Sequence, residues 1–166
     1  MNRRKQFVIL ALFISTLALL SSCTTLRPAT SIIQDSIQRY RYVYITPTQN
    51  LSSSSGSTSG NIYYSVSKTV NPADVISGKL TREGFIRIPE IKPEFAAQTL
   101  IINYGESGKR NVFLGYAIEV TIQLINAQTL QPVCTCTAEG MGSTEADDIR
   151  EAIGRCLEKL LRPNAL

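Results

Sequence analysis

The chain of 166 residues carries 17 Lys and Arg against 13 Asp and Glu, a formal net charge of +4, with four cysteines and no histidine or tryptophan. A length of this order supports one hydrophobic core rather than two. Acidic and basic residues are mixed along the chain, which excludes the basic stripe of a nucleic-acid binder, and the missing histidine removes the commonest general base.

Arg3, Arg4 and Lys5 lead into an apolar run from Phe7 to Leu20. That run is shorter than the about 20 residues a spanning helix needs, so it reads as a secretory signal. A cut by an ordinary signal peptidase after Ser22 would leave the bulky Leu20 at the third-last position, where a small residue is required. Leu20-Ser21-Ser22-Cys23 instead resembles the bacterial lipobox. The resemblance implies that residues 1–22 are removed and that Cys23, acylated, becomes the first mature residue. One acyl chain anchors marginally and several anchor durably. Thr24 rather than Asp after the cysteine, with no acidic run behind it, fits the periplasmic face of the outer membrane. Without Arg3, Arg4 and Lys5, 14 basic residues face 13 acidic ones, a net charge of +1.

Residues 23–39 read as lipidated cysteine and tether, with Pro28 in an extended start and a brief helical turn within Ser31 to Gln38. A folded domain is expected over residues 40–162. Its first strand is Tyr40 to Ile45, rich in β-formers and closed by Pro47. Residues 51–60 are almost all Ser, Gly and Thr and read as a mobile loop. Asn61 to Val66 returns to an extended pattern. Asn71 then serves as an N-cap with Pro72 at the first helical position. Ala73, Ile76 and Leu80 share a face, and Gly84 stands at the C-terminal cap, which predicts a helix from Pro72 to Glu83. Phe85 to Ile88 is extended.

Thr99 to Tyr104 reads as a short strand bounded by a turn at Gly105 to Gly108. From Val112 to Leu124 apolar residues alternate strictly, the pattern of a long strand with one face on a core. Asn126 to Thr129 turns the chain, and Pro132 to Glu139 returns beside it. The last helix opens at Ser143-Thr144 with Asp147 as a capping partner. Ile149, Ala152, Ile153, Cys156, Leu157 and Leu160 make its apolar stripe. Glu145, Asp147 and Asp148 at its start, with Lys159 and Arg162 near its end, complement the helix dipole.

This order predicts an α+β fold with a single mostly antiparallel sheet, a long β-hairpin and two helices packed on one face. The path through Ala73, Gly84-Phe85, Thr99 to Tyr104, Tyr116 to Ile125 and Thr129 to Val133 is similar to uncharacterised α+β domains of envelope lipoproteins. It departs from them at Asn126 and Cys134, where such domains often carry Asp and Trp. The resemblance implies a small periplasmic domain with no catalytic residues to carry over.

Cys134 and Cys136 lie two apart on the return strand and so share a face, and Cys156 is on the stripe of the helix that covers it. An oxidising periplasm permits a disulfide between Cys156 and either Cys134 or Cys136, leaving one thiol over. Three thiolates can also bind zinc, but Cys-x-Cys without histidine is a weak metal signal. Glu119 and Glu139 approach across the hairpin and read as solvated glutamates rather than an acid/base pair. Tyr40, Tyr42 and Tyr44 alternate with Arg39 and Arg41 and read as half-buried sheet residues. No phosphate-cradling loop or nucleophile elbow occurs. The expectation is therefore a non-enzymatic lipoprotein without cofactor, held to the membrane by its lipid and bound to another envelope protein or cell-wall component. The alternative is a periplasmic module for a small ligand or metal.

Overall fold

The computed structural model describes residues 26–162 apart from 61, 113 and 114. The signal segment 1–22 and the lipidation site Cys23 lie outside the described residues. Within them the strands are β1 (Thr30–Ile33), β2 (Tyr42–Ile45), β3 (Leu51–Ser59), β4 (Ile62–Val70), β5 (Ile86–Arg87), β6 (Thr99–Val112), β7 (Gly115–Asn126) and β8 (Pro132–Gly140). The helices are α1 (Pro72–Arg82) and α2 (Glu145–Leu161), with short 3-10 turns at Ile37–Arg39 and Pro93–Gln98.

The fold is α+β, but the expected single, mostly antiparallel sheet is replaced by two sheets. Six strands form a mixed sheet in the order β1-β8-β7-β6-β2-β5, while β3 and β4 pair apart from it as a two-stranded ribbon. Strand β2 runs parallel to both β5 and β6. Parallel pairing requires a crossover, and the chain from β2 to β5 and β6 supplies one through α1.

Helix α1 starts where the sequence indicates. Asn71 accepts from the Asp74 N–H at 3.3 Å, and Pro72 needs no donor at that position. It ends at Gly84, whose φ of +93° suits glycine, with the Phe85 N–H returning to the Leu80 carbonyl at 3.1 Å. Helix α2 is capped by Thr144, which accepts from the Asp147 N–H. The apolar stripes of both helices meet the sheet face carrying Val43, Ile45, Leu100, Ile102, Ile118, Val120, Ile122 and Leu124, and together they form one buried cluster.

Four stretches depart from the sequence reading. Residues 51–60, expected as a loop, hold β3, whose register with β4 runs from Leu51↔Val70 to Ser59↔Ile62. The serines contribute backbone to a ladder whose larger side chains come from β4. Residues 30–33, expected in the tether, form β1 against β8, and the helical turn begins only at Ile37. The segment Gly105 to Gly108 is no turn: β6 continues through it with a bulge between Glu106 and Gly108. The chain reverses after Val112 instead, so Val112 belongs to β6 and the alternating strand begins at Gly115.

Candidate functional site

The sheet and helices bring several charged and polar groups to one end of the molecule. Strand β7 pairs with β8 so that Ile118 lies opposite Gly140, and β7 then runs three residues further to Gly115. The N-terminus of α2 follows Gly140 after four residues. Gly140 is needed there because a Cβ would stand 1.9 Å from the Asp148 carbonyl oxygen. That close approach lets Met141 to Thr144 wrap the first turn of α2.

The ribbon reaches the same turn. The Ala146 N–H donates to the Ser53 Oγ at 2.9 Å, and Lys68 Nζ donates to the Asp147 carboxylate at 2.7 Å. Ser143 and Thr144 hydroxyls also donate to Asp147, at 2.7 and 3.0 Å. Lys68 chiefly, with these hydroxyls, holds the Asp147 carboxyl down at about 2. Asp148, one residue on, is buried and accepts from the Gly142 N–H, yet its pKa is raised, mainly by burial. Across the gap Lys109 donates to Glu145 at 3.0 Å. These parts enclose an open cleft of about 600 Å³ between Ser52 to Ser55 of the ribbon, the β6–β7 hairpin end at Val112 and Tyr116, and Gly142 to Glu145.

Glu139 is not the solvated glutamate expected. It is 2 % exposed and is held by Arg110 through two hydrogen bonds of 2.7 and 2.6 Å and by the Arg27 N–H at 2.9 Å. Arg110 first, then Arg27, brings its carboxyl down to about 2. Glu119 lies directly opposite on β7 but accepts from the Ser107 hydroxyl instead. A carboxylate locked in a bidentate guanidinium pair has no proton to exchange near neutral pH, so the two glutamates do not form an acid/base dyad.

Of the three cysteines, Cys136 is paired with Cys156 as a disulfide, their Cα atoms 5.6 Å apart. Cys134 remains a free, buried thiol whose pKa burial pushes up to about 12. A thiol so protonated is neither nucleophile nor ready metal ligand. Among the described residues, no three His, Cys, Asp or Glu side chains gather where a metal ion could be held. Tyr40 is buried and accepts from the Asn126 side-chain amide at 3.0 Å, while Tyr42 stacks on Phe95 with centroids 4.9 Å apart.

No protein-family model matches the chain, and no curated protein matches it. It has solved structural neighbours. One is the PelC dodecamer from Paraburkholderia phytofirmans, 15 % identical over 81 % of this chain and 94 % of that one, with a TM-score of 0.44. A single-substitution variant of that dodecamer is 13 % identical over the same shares, with a TM-score of 0.46. A PDZ domain protein from Parabacteroides distasonis is 12 % identical over 92 % of this chain and 40 % of that one, with a TM-score of 0.41.

The residues missed by sequence reasoning are Arg27, Arg110 and Lys68. Each finds its partner 29 to 112 positions away. Arg110 has no sequence signal, because Gly105 to Gly108 reads as a turn where β6 in fact continues through a bulge.

Proposed function

We propose that this chain is an envelope lipoprotein, cleaved before Cys23 and acylated there, whose α+β domain binds or scaffolds another envelope component rather than catalysing a reaction. The observation that carries this reading is the order of basic start, short apolar run and Leu20-Ser21-Ser22-Cys23. The Cys136 and Cys156 pair supports it, because structural disulfides belong to oxidising compartments. Among the described residues no helix is long and apolar enough to cross a membrane, so attachment by those helices is not an alternative to the lipid. The resemblance of the sequence pattern to envelope lipoprotein domains supports a periplasmic site, and Thr24 rather than Asp after Cys23 supports the outer membrane.

A non-catalytic role draws support from the ionisable groups themselves. Glu139 and Asp147 are tied into ion pairs, and Cys134 is buried and protonated. The runner-up is a small-ligand module. The cleft of about 600 Å³ beside buried Asp148 favours it.

Cell fractionation tests the leading reading. The native chain stays with membranes and takes up labelled palmitate. Cys23→Ser is processed differently, loses the label and leaves the membrane fraction on detergent-free extraction. A Cys23→Ser chain that remains membrane-bound at unchanged mass overturns the anchor.

A further inference from the structure

We propose that the end of the domain bearing the β3–β4 ribbon rests on the lipid bilayer, with Ile62, Tyr64 and Val66 set into the membrane interface. The proposal rests on acylation of Cys23 and adds to it the orientation of the folded domain.

The first observation is the path of the N-terminal segment. Strand β1 runs antiparallel to β8, so residues upstream of Thr30 travel toward Gly140, and the Arg27 N–H is held at Glu139. Cys23 precedes Arg27 by four residues. A fully extended chain of that length spans about 14 Å, which confines the lipid to this end of the molecule.

The second observation is what else projects there. Lys68 and Val70 of β4 face α2 and the core, and residues of the same parity beyond them, Val66, Tyr64 and Ile62, continue that face after the ribbon has left the body. They are 51, 56 and 56 % exposed. Six residues of each strand lie beyond the Ser53↔Lys68 pair, a projection of about 20 Å. The β6–β7 hairpin end projects beside the ribbon, and Tyr116 there is exposed with Lys109 5.0 Å from its ring centroid.

The third observation is charge. From Tyr42 to Ser67 the sequence has no charged residue. A ribbon standing in water ordinarily carries charges that blunt its open edges. Aliphatic side chains and tyrosines without charges suit the interface of a bilayer, where the ring is apolar and the hydroxyl wet. A bilayer is also the one surface whose distance from this end is set by the chain itself.

The chain lacks tryptophan, so single Trp substitutions report without background. Full-length acylated protein carrying Tyr64→Trp, Val66→Trp or Phe95→Trp is reconstituted into phosphatidylcholine vesicles with brominated acyl chains. Phe95 precedes β6 at the opposite end of the sheet, so it serves as control. Tyr64→Trp and Val66→Trp should lose most of their emission to bromine while Phe95→Trp keeps its own. Equal quenching at all three, or protein that floats with the vesicles with both ribbon reporters unquenched, overturns the orientation and leaves the anchor standing. Ribbon emission that is blue-shifted yet insensitive to bromine, as when protein covers it, also overturns it. Failure of every variant to float overturns the anchor and the orientation together.

Discussion

Glu139 shows what a buried carboxylate does when it is fully partnered. It spends three hydrogen bonds and two guanidinium neighbours to remain ionised in the sheet, and Arg155 in turn donates to the Arg27 carbonyl at 2.7 Å. Removing one member of such a set strands a buried charge. Arg110→Ala leaves Glu139 with only the Arg27 N–H and guanidinium and should therefore lower the midpoint of urea unfolding. Glu139 and Asp147 both contribute to acid stability. The folded pKa values of Glu139 and Asp147 are depressed to about 2 from ordinary values of 4.5 and 3.8. Their stabilisation is therefore complete above about pH 4.5 and is lost as pH falls toward about 2. Asp148 has the opposite sign: burial raises its pKa, so its ionised form opposes folding at neutral pH. Asp148→Asn keeps an acceptor for the Gly142 N–H and should raise the thermal midpoint at pH 7. That advantage should shrink as acid protonates the parent carboxyl, and a midpoint unchanged at both pH values sinks the idea. Of these contacts the Asp147 cap with Ser143 and Thr144 is readable in the sequence, whereas the pairing with Lys68, Arg27 and Arg110 depends on register between residues far apart.

At the scale of elements, α2 is the part most firmly tied to its neighbours. Its stripe packs on the sheet, Gly140 admits its backbone, and the Cys136 and Cys156 disulfide closes a separation of 20 residues between β8 and the helix. A loop of that length contributes about 3 kcal/mol by restricting the unfolded chain. Cys156→Ser should lower stability by about that amount, and alkylation of the unreduced, unfolded protein should tag Cys134 alone. Both helices are readable in the sequence because caps, acidic first turns and a 3.6-residue period agree with one another. The β7–β8 hairpin is readable for the same reason at period two. Strand β3 is not, since serine and glycine carry no apolar alternation, and its pairing is dictated by β4. The course of β6 is hidden by Gly105, Ser107 and Gly108, which serve a bulge where the same residues in sequence signal a turn. The shared face of Cys134 and Cys136 follows from parity, but the choice of Cys136 follows from where α2 crosses β8.

Across the whole molecule, stability and the projecting ribbon are separable. The buried cluster includes Val70 at the base of β4 but nothing from Ile62 to Ser67. Among the described residues the ribbon's anchorage lies in its lower part: Leu51 on the core, Ser53 on the α2 amide, Thr69 through its carbonyl on Arg150, and Lys68 on Asp147. Residues 54–67 can therefore be replaced by Asn-Gly, closing the hairpin directly at the Ser53↔Lys68 pair. That pair is six residues, an even step, from the present Ser59↔Ile62 end, so a two-residue turn meets the same side of the ladder. The shortened chain should unfold in urea at nearly the parent midpoint, with a slightly smaller slope because less surface is exposed. A large fall in midpoint would show that the ribbon is part of the folding unit. If the midpoint holds, a chain that keeps an uncharged, aromatic-bearing ribbon without needing it for its core keeps it for contact with something outside the domain.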